Sequence, residues 1–566
     1  MPGIRSPLLL CALAAAAPCA PAATPPLACD ATTAAAALTT LDLGTPLRLQ
    51  QAQWIASPPD GQPPHCEITA VIGEHRGAPA DTAYGNHIRL RVPAGWDGRL
   101  VFQGGGGNNG VLGDALGRLN DGSTALGRGH AVLAQDSGHL GRAPHFALDA
   151  QAYRAFAHEG VHQATQAGKA LLAAVAGARP HHAYFVGCSN GGREALVTAQ
   201  RHADFDGVVA GAPGLAVYDQ WLQNLNVLQI VARVAGTPAG QVPTDTSRAY
   251  SDAQLQQVAA HFLARCDALD GLADGLVSHP QACRASEADY RALTCRADGG
   301  ASDDPSTCLT RLQAEGLRQI HTGATTRDGR LLWPGFVPGS MERAMRKPYL
   351  GGAPGGPLLG AFYDSIMPNL YFMGYGFRGW PGVSGPADAL GAYPSSSVAY
   401  VAGFDLDTEP PRLAQGRLDF HGANTDPSQP GPSFDAFAQR GGRMLVYTGA
   451  ADHGVQAPGI MAWMDRLRAQ YGAAGADRMA ALFIVPGMDH CRGGDGLERF
   501  DPLAPLIRWV EQGERPAQIL ARPAASGALA RQWPDAVRPL CPYPAHAHYR
   551  GTGSPAAADS FVCQAP

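Results

Sequence analysis

Ser189 has the sequence setting of a catalytic nucleophile. It lies at the centre of residues 187–191, which read Gly-Cys-Ser-Asn-Gly, between a strand-like segment at 183–186 and a helix-like segment at 192–201. A serine on a sharp turn between a strand and a helix presents its hydroxyl at the edge of a sheet. Such a serine attacks an ester carbonyl when a neighbouring base removes its proton. Because glycine-rich chains contain this pentapeptide by chance, a structural turn serine is the alternative.

Two residues late in the chain are candidates for the base and the acid that would act with Ser189. His490 and Asp452 each follow a strand-like segment, and the order serine, aspartate, histidine is that of α/β-hydrolases. The carboxyl ends of parallel strands meet at one edge of a sheet, where their loops gather. Asp489 and His453 are the alternatives, but each adjoins its would-be partner in sequence, and neighbouring side chains usually diverge. The sequence therefore favours a triad of Ser189, His490 and Asp452.

The tetrahedral intermediate of ester cleavage needs N–H donors for its oxyanion. Asn190, directly after the nucleophile, would supply one through its backbone. The glycine run at 104–107 follows a strand-like segment and would supply the second. Gly105 is the favoured donor, with Gly104 and Gly106 as close alternatives. A plain flexible loop is the competing interpretation, because glycines also serve simple turns.

Strand-like and helix-like segments alternate around these residues. Short or alternating apolar runs predict strands, and they occur at 87–92, 100–102, 131–134, 183–186, 208–210, 443–447 and 481–485. Helices are predicted at 153–176, 192–201 and 459–471. This alternation predicts a parallel sheet with crossover helices. The predicted fold class is α/β, with an α/β-hydrolase fold.

Residues 216–430 interrupt this alternation. The segment contains four cysteines, an acidic loop, and a stretch at 347–400 rich in glycine, proline and aromatic residues. We interpret it as a large lid domain inserted after the nucleophile segment. The predicted organisation is a signal peptide at 1–22, the first part of the catalytic domain at 23–215, the lid at 216–430 and the second part at 431–566.

The N-terminus and the charge balance predict an exported protein. Arg5 precedes an apolar stretch at 8–17 and a small-residue cleavage pattern at 20–22, as in a secretory signal; a retained N-terminal anchor is the alternative. The net charge is −5 and no basic tract occurs, so neither nucleic acid nor an anionic membrane is an expected partner. We expect a soluble protein in the periplasm or outside the cell. The sequence carries no signal for an oligomeric state.

Export changes the interpretation of the cysteines. Two of the 12 cysteines lie in the predicted signal, and the even number that remains suggests disulfides in an oxidising compartment. Proximity in sequence suggests the pairs Cys29–Cys66, Cys266–Cys283, Cys295–Cys308 and Cys541–Cys563. Cys188 and Cys491 remain, beside Ser189 and His490. Spacing alone leaves this connectivity open.

Residues 266–276 form a second cluster with possible chemistry. Asp267, Asp270 and Asp274 offer carboxylate oxygens, and Leu272 and Leu276 offer backbone carbonyls, within a glycine-containing loop. Oxygen ligands of this kind suit Ca²⁺, although the spacing is not that of an EF-hand. The prediction is a structural Ca²⁺ in the lid, and the alternative is a solvated acidic turn.

Taken together, these motifs resemble the tannase and feruloyl esterase family of secreted serine esterases. The resemblance is carried by residues 187–194, 205–214, 266–276, 485–491 and 539–544. It implies an α/β-hydrolase domain with a large inserted lid, a triad at Ser189, Asp452 and His490, and a disulfide between Cys188 and Cys491. It also implies a lid calcium site, whose ligands match Asp267, Asp270, Leu272, Asp274 and Leu276.

The resemblance is weakest where the lid would face a substrate. A terephthalate monoester hydrolase of this family is similar outside the lid, but Thr448 and Val455 stand here where it has a histidine and a phenylalanine. Arg378 is the candidate to bind a substrate carboxylate, and a surface arginine is the alternative. The predicted function is a secreted serine carboxylesterase that cleaves small aromatic esters such as gallates and ferulates. Terephthalate monoester hydrolysis is the alternative, and an inactive binding protein with a hydrolase fold is a remote one.

Overall fold

A nine-stranded mixed sheet forms the centre of the molecule. The computed structural model describes residues 27–78, 81–215, 217–352, 356–363, 395–411 and 433–566. The strands are β1 (Leu47–Ile55), β2 (His65–Gly77), β3 (Thr82–Pro93), β4 (Arg99–Gln103), β5 (Ala131–Gln135), β6 (His182–Cys188), β7 (Gly207–Gly211), β8 (Gly323–Thr325), β9 (Leu331–Pro334), β10 (Arg443–Gly449), β11 (Ala480–Val485), β12 (Leu497–Phe500), β13 (Ile519–Pro523), β14 (Arg538–Leu540), β15 (His546–Tyr549) and β16 (Phe561–Gln564). The order in the central sheet is β1-β2-β3-β5-β4-β6-β7-β10-β11.

The central sheet is parallel on one side and antiparallel on the other. Strands β5, β4, β6, β7, β10 and β11 pair in parallel, whereas β1, β2, β3 and β5 pair antiparallel. The prediction of a parallel sheet is therefore wrong for this antiparallel part. The short connection between β2 and β3 allows only antiparallel pairing, because a parallel pair needs a long crossover.

Helices surround the sheet, and further helices lie beyond it. They are α1 (Ala31–Thr39), α2 (Ala150–Arg154), α3 (Gly160–Ala176), α4 (Asn190–Arg201), α5 (Val217–Val234), α6 (Asp252–Cys266), α7 (Glu287–Leu293), α8 (Arg311–Thr322), α9 (Ser395–Gly403), α10 (Asp435–Gln439), α11 (Ala457–Tyr471), α12 (Ala473–Met479), α13 (Leu503–Gln512) and α14 (Ala528–Gln532). A π-helical turn, Ala155–Glu159, separates α2 from α3, where the sequence predicted one continuous helix. Within the described residues, no helix is both long and apolar enough to cross a membrane.

Both faces of the sheet are buried, as expected where helices cover a parallel sheet on both sides. In β4 and in β6, adjacent residues belong to different hydrophobic clusters on the two faces of the sheet. Phe102 and Phe185 belong to one cluster, and Val101 and Tyr184 belong to the other. Helices α3 and α11 contribute to the first cluster, and α13 to the second. This enclosure fixes the carboxyl ends of β4, β6, β10 and β11. The residues predicted for the triad and the oxyanion hole follow these strand ends.

Helices α5 to α9 share a hydrophobic cluster of their own with the loops around 336–363. Val197 of α4 and Phe156 of the π-helical turn also belong to this cluster, which joins it to the sheet region. Two smaller sheets, β12-β13-β14 and β15-β16, lie in the C-terminal part, and β8 pairs with β9.

Five disulfides link the cysteines of the described residues, in the pairs that proximity in sequence and the family resemblance suggested. They are Cys29–Cys66, Cys188–Cys491, Cys266–Cys283, Cys295–Cys308 and Cys541–Cys563. The predicted signal peptide at 1–22 and Arg378 lie outside the described residues.

Candidate active site

Ser189 occupies a strained turn between β6 and α4. Its φ is 62° and its ψ is −119°, a region that residues other than glycine rarely adopt. The Ser189 N–H donates to the carbonyl of Gly211 at 2.9 Å, which ties the turn to β7. A Cβ at position 187 would lie 2.6 Å from the backbone of Gly191, so the tight crossing of strand and helix requires glycine there. The predicted elbow is thus present.

Ser189, His490 and Asp452 form a continuous hydrogen-bonded chain. His490 Nε2 lies 2.9 Å from Ser189 Oγ, and His490 Nδ1 lies 2.9 Å from Asp452 Oδ2. The Asp452 side chain is fully buried, and its Oδ1 accepts the N–H groups of Gly454 and Val455 at 2.8 Å. These bonds hold the carboxylate in place against the imidazole, so the structure brings the three predicted residues together.

The environment of His490 increases its basicity. Burial alone would lower the pKa of His490, but the charge of Asp452 and its hydrogen bond raise that pKa above its ordinary value. A stronger base removes the serine proton more readily.

Asp489 and His453 pair with each other and not with the ring of His490. Asp489 Oδ1 lies 2.5 Å from His453 Nδ1 and accepts the backbone N–H of His490 at 2.7 Å. Burial favours the neutral form of Asp489, but the hydrogen bond and charge of His453 lower its pKa below the ordinary value. The two alternatives therefore form a second pair, with the His453 ring 6.0 Å from the His490 ring.

The Cys188–Cys491 disulfide joins the two loops that carry the nucleophile and the base. Its cysteines lie 303 residues apart in sequence, and their Cα atoms are 6.0 Å apart. Cys188 ends β6 directly before Ser189, and Cys491 directly follows His490. The bond thus limits the distance between the loops that carry Ser189 and His490.

The glycine run after β4 packs against the start of α4. The Gly104 N–H donates to the carbonyl of Val186 at 2.9 Å, and the Gly105 N–H donates to Glu194 Oε2 at 3.3 Å. The sequence favoured Gly105 as an oxyanion donor, and the structure directs its N–H to Glu194. Of the three candidate donors Gly104, Gly105 and Gly106, only Gly106 has an N–H with no hydrogen-bond partner among the described residues.

Arg193 and Glu194 are site residues that the sequence reasoning did not single out. They appeared there only as letters of a family motif, and, apart from Asn190, the hydrogen-bond partners of their side chains lie at least 36 residues away in the chain. One sequence feature could have identified them: two adjacent charged residues occur in a helix whose other residues are mostly apolar or small. Charges in such a helix are expected to be buried with partners.

The acidic loop at 266–276 holds two buried carboxylates, those of Asp270 and Asp274, whose charge is not fully balanced by hydrogen bonds or positive groups. Asp267 accepts the N–H groups of residues 274–276, whereas Asp270 Oδ2 is buried with no hydrogen-bond partner among the described residues. Burial raises the pKa of Asp270 to about 7. Burial also raises the pKa of Asp274, although Arg538 Nη2, 2.9 Å from Asp274 Oδ2, opposes the rise. Buried carboxylates of this kind are stabilised by a bound cation.

A cluster of His162, His202 and Asp204 also offers metal-ligand atoms within 4.8 Å of one another. The two imidazole rings are stacked, with centroids 3.9 Å apart and planes 9° from parallel. A metal in the plane of one ring would therefore lie outside the plane of the other. Asp204 already accepts hydrogen bonds from His162 and Gln166. The geometry fits a stacked polar cluster better than a metal centre.

Comparison with known proteins identifies the relatives of the chain. A sequence model described as "Tannase and feruloyl esterase" matches residues 66–353 and 426–564. The chain is 35% identical to mono(2-hydroxyethyl) terephthalate hydrolase from Piscinibacter sakaiensis, covering 89% of this chain and 85% of the relative. The fold is similar to crystal structures of feruloyl esterase B from Aspergillus oryzae and a tannin acyl hydrolase from Aspergillus niger. Their TM-scores are 0.72 and 0.69, at 20% and 18% identity, over 94% and 96% of this chain and 99% and 97% of theirs.

A mixed α/β sheet that brings together a serine, a histidine and an aspartate, in a chain with these relatives, defines a carboxylic ester hydrolase. The chain belongs to the tannase and feruloyl esterase family.

Proposed function

We propose that the protein is an exported serine esterase that hydrolyses esters of aromatic acids through Ser189, His490 and Asp452. The observation that carries this proposal is the hydrogen-bonded chain from Ser189 Oγ through His490 to Asp452. Five disulfides support export, because such bonds persist in oxidising compartments. The signal-like residues 1–22 support it independently.

The reaction proceeds through an acyl-enzyme. His490 Nε2 takes the proton of Ser189 as Oγ bonds to the ester carbonyl carbon, and Asp452 stabilises the imidazolium that forms. The imidazolium then gives its proton to the leaving alkoxide oxygen as the ester bond breaks. Water, deprotonated in turn by His490, attacks the acyl-enzyme, and the proton returns to Ser189 as the carboxylic acid departs.

The oxyanion of each tetrahedral intermediate lies at the start of α4. The Asn190 N–H belongs to the first turn, whose N–H groups have no partner within the helix. The second donor comes from the glycine run. Among the three candidates Gly104, Gly105 and Gly106, we assign it to Gly106, because the N–H groups of the other two are already bonded.

Residues 216–430 act as a lid over this site, between catalytic segments 23–215 and 431–566. Support comes from contacts with the loop that follows Asp452. The Asn224 side chain donates to the Gly454 carbonyl at 3.1 Å, and the Tyr349 hydroxyl donates to the His453 carbonyl at 2.6 Å. The ring of Phe362 lies 5.6 Å from that of His453. The partly exposed Phe362 ring beside the triad suits an aromatic ester.

Gallate and hydroxycinnamate esters are the preferred substrates, and a terephthalate monoester is the second candidate, favoured by the 35% identical relative. We expect kcat/KM for methyl ferulate or methyl gallate to exceed that for mono(2-hydroxyethyl) terephthalate by at least about tenfold. The reason is that Thr448 and Val455 stand where the terephthalate monoester hydrolase has a histidine and a phenylalanine, and that the aromatic ring of Phe362 lies beside His453. Initial rates on purified protein measure the ratio.

The opposite ratio would assign the terephthalate monoester as substrate. Hydrolysis of none of the three esters, together with no labelling by a fluorophosphonate probe, would support the inactive binding protein instead. Labelling without turnover of these esters would retain the serine esterase and reject the aromatic substrates.

The acidic loop binds a structural Ca²⁺. The buried oxygens of Asp270 and Asp274 fit such an ion, with Asp267 and the carbonyls of Leu272 and Leu276 completing the proposed ligand set. The ion would neutralise the buried carboxylates, while Asp274 joins the loop to Arg538 through its own ion pair. It takes no part in ester cleavage.

Removal of Ca²⁺ is expected to destabilise the protein. An ion present at about 100 times its Kd stabilises the folded state by about 2.7 kcal/mol, so EGTA should lower Tm and added Ca²⁺ should restore it. Asp270→Asn is expected to melt at the lower temperature and to be insensitive to EGTA. An unchanged Tm of the wild type in EGTA, measured by calorimetry, would contradict the calcium site.

A further inference from the structure

Two adjacent charged residues of α4, Arg193 and Glu194, are buried close to the nucleophile. Their exposed fractions are 2% and 3%. Charged side chains are almost never this buried unless they are paired or hydrogen-bonded. The steps of ester cleavage described above use neither of them, so their contacts call for an explanation.

Arg193 binds the residue that follows the nucleophile. Its Nε donates to Asn190 Oδ1 at 2.7 Å, and its two terminal nitrogens donate to the carbonyls of Ala157 and Phe156 at 2.7 and 2.8 Å. Both carbonyls belong to the π-helical turn. The planar guanidinium therefore joins the start of α4, which carries the Asn190 N–H, to the separate π-helical turn.

Glu194 binds the glycine run and two segments beside it. Its Oε2 accepts the Gly105 N–H at 3.3 Å, and its Oε1 accepts Asn109 Nδ2 at 2.7 Å and the Ser137 hydroxyl at 3.1 Å. Burial raises the pKa of Glu194, while the charge of Arg193 and these hydrogen bonds oppose the rise. All three partners donate, which matches the acceptor-only chemistry of a carboxylate and not that of an amide.

The segments that Glu194 joins have unfavourable backbone conformations. Asn109 and Ser137 have φ values of 55° and 67°, although neither is glycine. A Cβ at position 105 would lie 1.5 Å from Asn109 Oδ1, so the loop closes tightly around the Asn109 amide. Conformations of this kind persist only where surrounding contacts hold them. The Glu194 carboxylate supplies such contacts to both segments.

We propose that Arg193 and Glu194 are positioning residues that hold the two sides of the oxyanion hole. Arg193 fixes Asn190, and Glu194 fixes the glycine run by binding Gly105, which leaves the Gly106 N–H directed to the substrate oxygen. This inference rests on the proposed function. It adds that the nucleophile helix itself sets the separation between the two donors.

The substitution Glu194→Gln tests whether Glu194 positions the glycine run. The amide retains one acceptor oxygen but places an NH₂ group against donors of the loop, so the Gly106 N–H moves while Ser189 and His490 stay. Loss of one oxyanion donor costs about 10²–10³ in kcat, and we expect a displaced donor to cost about 10–10². KM should change less than about threefold, because the donor acts mainly in the transition state.

The substitution Arg193→Lys tests whether Arg193 positions Asn190. Lysine keeps the charge but lacks the planar fork that binds Asn190 and the π-helical turn together. We expect kcat to fall about tenfold, again with little change in KM. If Glu194→Gln fails to fold, this variant decides the proposal: an unchanged kcat would overturn it.

The control is Glu342→Gln. Glu342 is also fully buried, accepts the Gly339 N–H at 3.0 Å and pairs with His321 at 2.7 Å; among the described residues these hydrogen bonds reach no residue of the site. We expect it to lower Tm and leave kcat unchanged. Titration with a fluorophosphonate gives the concentration of folded, active protein for each variant, so that kcat is calculated per active site in every case.

Binding of phenylboronic acid separates positioning from general loss of structure. Boronic acids form a tetrahedral adduct with the serine whose oxygen occupies the oxyanion hole, so Ki should rise in parallel with the fall in kcat for Glu194→Gln. A folded Glu194→Gln variant with wild-type kcat and Ki would overturn the proposal. Full activity of Ser189→Ala would instead reject the proposed function, so the two failures remain distinguishable.

Discussion

Ser189→Ala is expected to lower kcat for a 4-nitrophenyl ester by roughly 10⁴- to 10⁶-fold. The substitution removes the Oγ atom that lies 2.9 Å from His490 Nε2, and with it the acyl-enzyme route. The residual rate comes from the oxyanion donors and from substrate binding alone. Initial rates on purified protein measure the effect. The Tm should change little, because alanine fits the same turn and the Ser189 N–H bond to Gly211 is retained.

Ser340→Ala is the matched control for this experiment. The Ser340 hydroxyl also donates one hydrogen bond, to the carbonyl of Val337 at 2.6 Å, but it lies in a loop outside the site. We expect normal turnover and normal labelling by a fluorophosphonate in this variant, and neither in Ser189→Ala. Retention of more than a tenth of the wild-type rate in Ser189→Ala would contradict the assignment of the nucleophile.

The local part of this site could be predicted from sequence. Ser189 is identified by the glycines that surround it, and Asp452 and His490 by their position after apolar strands. Each of these signals lies within a few residues of the side chain concerned. Most residues of the strands that carry them are buried, so their apolar runs are easily recognised.

The remaining features depend on contacts between distant residues. The Gly105 N–H is bonded to Glu194, which lies 89 residues later in the chain. No periodicity or composition encodes such a contact, so the sequence favoured Gly105 where the structure leaves Gly106 available. The antiparallel strand β1 was missed for a related reason: none of its residues is fully buried, so its apolar signal is weak.

Loss of the Cys188–Cys491 disulfide is expected to reduce both stability and catalysis. Removing a native disulfide costs about 2–5 kcal/mol of unfolding free energy, and in the chain-entropy model the cost grows with the loop that the bond closes. This bond closes a loop of 303 residues. A serine at each position would also release the Ser189 loop from the His490 loop. Because a misplacement of about 1 Å can cost 10²-fold, we expect kcat to fall by about 10–10².

Cys295→Ser with Cys308→Ser is the control for that double variant. Its disulfide spans only 13 residues and joins segments beside α7 and α8, away from the triad. We expect a smaller fall in unfolding free energy, measured by denaturant titration, and an unchanged kcat. If both double variants lost stability and neither lost activity, the Cys188–Cys491 disulfide would only stabilise the fold and would not position the triad. If only Cys188→Ser with Cys491→Ser loses kcat, the disulfide positions the nucleophile against its base.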